Sequence, residues 1–148
     1  MAEGFFKSIL AGNEVLKDYT VSSAGIYAYE GDNASSNSIK IMNKEWNIDI
    51  SKHTATILTG QAVDDAFLIL TMTRQQKEEI LSIHPTAANK LFTLKEFANG
   101  RQTTRELQDY DYTLDIIDPF GLPEHFYSIC AKEIKDSVEK LTILLEDN

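Results

Sequence analysis

The sequence predicts an α/β domain with three layers, α/β/α, built on an open parallel sheet. Two observations carry this. Segments with apolar residues at helical spacing alternate with short runs of β-formers, and Phe67-Leu68-Ile69-Leu70 is apolar without interruption. A strand of that kind is covered on both faces, as in parallel sheets, and the alternating helices supply the cover.

Each element follows from its own pattern. Phe5, Phe6, Ile9 and Leu10 share one helical face, so an amphipathic helix begins at the first residue with no capping side chain ahead of it. Residues 19–27, from Tyr19 through Val21 to Tyr27, are rich in β-formers and broken by Gly25, which predicts a strand entering a turn. A loop with Gly31, Asp32 and Asn33 follows, then a helix over 35–46 with Ile39, Met42 and Trp46 on one stripe. After the 67–70 strand, Thr73 and Gln76 stand at capping-box spacing, and the helix they open runs through Ile80 and Leu81 to a stop at His84-Pro85. Leu91-Phe92-Thr93-Leu94 reads as another strand. The polar stretch 100–118 is long for a connection in a compact domain, so it reads as a functional or mobile loop. Phe126, Cys130, Ile134, Val138, Leu141 and Leu145 mark the apolar face of a last helix.

Composition narrows the function. A chain of 148 residues, 43% hydrophobic, suits a single domain over 1–148 with a real core. A formal charge of -9 without a basic cluster argues against nucleic acid or an anionic membrane as partner. Cys130 is the only cysteine, so no intramolecular disulfide forms. With no signal-peptide pattern and no apolar run long enough for a bilayer, a cytoplasmic protein is expected. His53, His84 and His125 lack the spacing of a metal site. Asp109, Asp111, Asp115 and Asp118 lack the glycine and distal glutamate of a calcium loop, so they read as a solvated acidic stretch.

Six segments, MAEGFFKSIL, SSAGIYAYEGDNAS, ISKHTA, LILTMTRQQKEEIL, LFTLKEFANG and DPFG, occur in one order along the whole chain. In that order they resemble the low molecular weight protein tyrosine phosphatases, above all the bacterial branch that includes phosphoarginine phosphatases. The resemblance implies a flavodoxin-like sheet, a phosphorylated protein as substrate, and no cofactor. It also implies a phosphocysteine intermediate formed on a Cys-x5-Arg-Ser-Pro loop, which in the family follows a first strand and immediately precedes Met-Ala-Glu. That strand and loop are expected to be absent from this chain, together with the nucleophile and arginine. Cys130 does not replace them: Asp136 stands where the arginine would be, and Cys130 lies on the apolar stripe of the last helix.

By the same resemblance Asp118 is the general acid and base, held on a turn by Pro119 and Gly121. Taken alone, Asp118-Pro119 initiates a turn. Ser23 and His53 match positions that support the phosphate loop in the family; alone they are a strand-end turn residue and a loop histidine. Thr56 stands where the family often has arginine. Phe120 is expected to wall the pocket, and Tyr110 and Tyr112 either join it or lie exposed.

Without the central strand, the chain is expected to be a poorly stable monomer that exchanges a segment with a second copy, rearranges its sheet or aggregates. Three functional readings follow. The first is a tyrosine or arginine phosphatase whose gene start lies further upstream. The second is a non-catalytic phosphatase-like binding module, and the third is an unrelated flavodoxin-like domain.

Overall fold

The computed structural model describes residues 1–100 and 114–147. The acidic and aromatic residues Asp109, Tyr110, Asp111 and Tyr112 lie outside the described residues.

The sheet is parallel. Strand β1 (Ile69–Thr71) pairs with β2 (Leu91–Thr93) in the register Ile69 to Leu91, Leu70 to Phe92 and Thr71 to Thr93. Side chains alternate across a strand, so each face of this short sheet receives its own set. Ile69 and Leu91 pack with Val63, Ile80 and Ala87. These come from α3 (Gly60–Asp65), α4 (Arg74–Ile83) and a 3-10 turn (Pro85–Asn89). Leu70 and Phe92 face the larger cluster on the other side. That cluster is built from α1 (Ala2–Leu10), α2 (Ser36–Trp46), α5 (Leu94–Ala98) and α6 (Glu124–Glu146). The three layers are therefore present, with a hydrophobic cluster on each side of the sheet.

Local sequence explains most boundaries. Ser35 caps α2, accepting from the Ser38 N–H at 3.2 Å, and Asn47 ends the helix in the left-handed region at φ 54°. Thr73 and Gln76 form the reciprocal capping box expected for α4. No side chain caps α1, as expected from its first residues. Its glycine allows close packing: a Cβ on Gly4 would stand 2.9 Å from Ile50 Cγ2 and 3.3 Å from Met42 Cε.

Several expectations are corrected. Residues 19–27 form no strand; Gly25 makes one isolated parallel bridge to Ile57, through Gly25 N–H to the Thr56 carbonyl at 2.9 Å. β-propensity describes a side chain that fits a pleated surface, and a strand also needs a neighbour along its length. Phe67 stands before the ladder, is 76% exposed, and meets the Tyr19 ring edge-on at 6.4 Å. Leu94 opens α5 rather than extending β2, because Thr93 and Glu96 form a second capping box. On α6, Tyr127 and not Phe126 joins the buried stripe with Cys130, Ile134, Val138, Leu141 and Leu145. Phe126 is rotated off that face and lies 4.1 Å from the His125 ring. The short α3 has one buried apolar residue, Val63, too few to show a helical period in the sequence.

Candidate active site

The uncapped head of α1 opens on a cleft of about 690 Å³. Met1, Glu3, Ser23, Asn47, Lys52 and His53 are among the residues lining it. Two of the residues singled out from sequence, Ser23 and His53, are thus brought together although thirty positions separate them.

Glu3 joins them. Its Oε2 accepts from the Ser23 hydroxyl at 2.5 Å and lies 3.8 Å from His53 Nδ1, while Oε1 accepts from Lys7 Nζ at 2.6 Å. Burial by itself would raise the Glu3 carboxyl, but the hydrogen bonds from Lys7 and Ser23 and the charges of Lys7 and His53 outweigh it. The carboxyl is held below its ordinary range. Glu3 was not identified from sequence. Its spacing of four from Lys7 was visible on a predicted helix, but its reach to Ser23 and His53 is a tertiary contact.

Asp118 is not among the residues lining this cleft. The Ile116 N–H donates to the Met72 carbonyl at 2.8 Å, directly beyond β1, which places the segment leading to Asp118 at the carboxyl end of that strand. Asp118 is exposed, and its Oδ1 accepts from the Phe120 N–H at 2.9 Å. Gly121 continues the turn at φ 78°, a conformation that glycine adopts without a side-chain clash. The turn chemistry read from Asp118-Pro119-Phe120-Gly121 is therefore present. Phe120 is 79% exposed and is not among the residues lining the α1 cleft; it projects from the turn into solvent.

Cys130 connects the two regions electrostatically. Its thiol is pushed up to about 11, first by burial and then by the Glu133 and Asp118 charges, with the Met1 amino group and Lys95 acting in the opposite sense. Asp118 and the head of α1 both lie within electrostatic reach of this buried sulfur. A thiol with so high a pKa in an apolar stripe is a packing group, since the thiolate is the nucleophilic form. Asp136, six residues on, pairs with Lys132 at 2.6 Å on the exposed side of α6.

These features define a class of protein: a three-layer α/β domain with a parallel sheet, a polar cleft at a helix head, and a carboxylate-bearing turn at the end of a strand. Ligands of open α/β sheets bind near the carboxyl ends of the strands. The family model for low molecular weight phosphotyrosine protein phosphatase matches residues 1–148, and the chain belongs to that family.

Relatives in sequence and in structure agree with this family. The protein-arginine-phosphatase of Geobacillus stearothermophilus is 33% identical over 137 residues, covering 93% of this chain and 84% of the relative. The "probable low molecular weight protein-tyrosine-phosphatase EpsP" of Ralstonia nicotianae is 40% identical over 120 residues, 79% of this chain and 78% of the relative. Among solved structures, the low molecular weight protein tyrosine phosphatase from T. tengcongensis superposes with a TM-score of 0.80 at 34% identity, covering 96% of this chain and 87% of that one. The YwlE arginine phosphatase from Geobacillus stearothermophilus gives a TM-score of 0.82 at 29% identity, over 99% and 83%.

Proposed function

We propose that this chain supplies the acid half of a protein phosphatase site for phosphotyrosine or phosphoarginine, with Asp118 as the proton donor. The observation that carries the reading is the exposed Asp118 carboxylate on a turn at the carboxyl end of β1, in a chain whose relatives are named arginine and tyrosine phosphatases.

The chemistry is a double displacement. A cysteine thiolate attacks phosphorus and forms the S–P bond while the P–O or P–N bond of the substrate breaks. The Asp118 carboxyl protonates the departing oxygen or nitrogen. Asp118, now a carboxylate, takes a proton from water; the oxygen of that water attacks phosphorus, the S–P bond breaks, and phosphate and thiolate are released. Glu3, Ser23 and His53 fit the support of the phosphate-binding side, because one carboxylate accepts from Ser23 and lies beside His53 at the head of α1.

The 148 residues contain no Cys-x5-Arg sequence, and Cys130 is buried. The nucleophile and the arginine are accordingly proposed to come from residues outside them. The reading frame upstream of Met1 discriminates: an in-frame Cys-x5-Arg-Ser-Pro supports a phosphatase, and its absence favours a non-catalytic binding module. In a protein carrying that segment, Asp118→Asn is expected to lower kcat for an aryl phosphate by about 10²–10⁴-fold. An unchanged kcat sinks the assignment. The 148-residue chain is expected not to hydrolyse the same substrate, and hydrolysis abolished by Cys130→Ser would refute that expectation.

A further inference from the structure

The segment that delivers Asp118 is pinned three residues earlier. Asp115 Oδ1 accepts from the Arg74 N–H at 2.8 Å, and Arg74 is the first residue of α4. The first N–H groups of a helix have no intrahelical acceptor and carry its positive dipole end, so a carboxylate there is held by a charge-assisted bond. The Arg74 Nε lies 3.5 Å from the same oxygen. The main chain of Asp115 is held as well: its carbonyl accepts from Lys95 Nζ at 2.9 Å, and Lys95 is paired with Glu133 of α6. The next residue, Ile116, donates its N–H to the Met72 carbonyl. Two elements, α4 and α5, thus bond Asp115 directly, α6 braces the Lys95 that holds it, and the residue just beyond β1 holds Ile116.

We propose that Asp115 is a positioning residue for Asp118. Its carboxylate, seated on the head of α4, fixes where the Asp118-Pro119-Phe120 turn begins and so where the proton donor stands. The proposal rests on the reading of Asp118 as the acid. The pinning itself is independent of the nucleophile and can be measured in the 148-residue chain.

The Phe120 amide reports the state of Asp118, because that N–H donates to its carboxylate. In isotope-labelled protein, Asp115→Ala is expected to speed exchange of the Ile116 amide by about ten- to a hundredfold, the effect of losing a hydrogen bond to a charged group. It is also expected to abolish or displace the pH response of the Phe120 amide. Asp115→Asn, which keeps an oxygen acceptor for the Arg74 N–H, should restore most of both. Lys95→Met tests the second pin if Asp115→Ala does not fold, and is expected to accelerate Ile116 exchange.

If Asp115→Ala, or Lys95→Met where Asp115→Ala does not fold, leaves Ile116 exchange as in the parent, the proposal is overturned. Failure of the underlying reading looks different: in a protein with the phosphate loop, Asp118→Asn would leave kcat unchanged while the Asp115 variants still altered the Phe120 signal.

Discussion

Cys130 shows how burial sets the behaviour of one side chain. Its thiol is raised to about 11, so the folded protein favours the neutral form. The stability linked to it is fully present below the ordinary value of 9.0 and is lost as pH rises through about 11. Alkylation at pH 8 should therefore proceed at the rate of opening, and a thiol titrated without denaturant at the speed of a free cysteine would contradict this. Glu3 runs the other way. Its folded carboxyl lies below the ordinary 4.5, so its contribution is full above about that pH and disappears as pH falls through the folded value. Glu3→Gln is expected to cost about 1–3 kcal/mol near neutral pH. The gap in Tm between parent and variant should narrow in acid, and a gap independent of pH would rule out the ionised carboxylate as its source.

Helices and strands were legible where the cause was local. The α4 capping box and the α6 stripe from Cys130 to Leu145 follow from spacing within one segment, and both are present. The segment 19–27 forms no strand because its pairing depends on residues far along the chain, and only Gly25 meets a partner. Leu94 departs from the expected strand for a local reason: Thr93 and Glu96 repeat the Thr73 and Gln76 pattern three residues apart. The approach of α1 to Ile50 and Met42 has no sequence signature beyond a glycine. Gly4→Ala places a methyl within 2.9 Å of Ile50 Cγ2, so overpacking is expected to outweigh the gain in helix propensity by about 1–3 kcal/mol. Urea unfolding measures it, and a stabilised variant would mean that the Ile50 and Met42 side chains yield without cost.

Across the molecule, α6 is the element on which the larger layer rests. It packs against α1, α2 and α5, and Leu141 in its C-terminal half is fully buried. Leu141→Ala should destabilise the protein by about 2–5 kcal/mol in urea with an unchanged m value, because it leaves a cavity shared by several helices. A loss well under 1 kcal/mol would show that the layer collapses around the gap. Among the described residues no helix is long and apolar enough to cross a membrane.

Read alone, the amino-acid order established the helices α1, α2, α4 and α6, the strand ahead of α4, the α4 capping box, the turn at Asp118 to Gly121 and the inert place of Cys130. Each depends on residues a few positions apart, whose spacing fixes which side of an element they occupy. The meeting of Glu3 with Ser23 and His53, and of Asp115 with Arg74 and Lys95, depended on how layers stack. Those partners lie 20 to 50 positions apart, and nothing short of the packed core specifies which carboxylate reaches which donor.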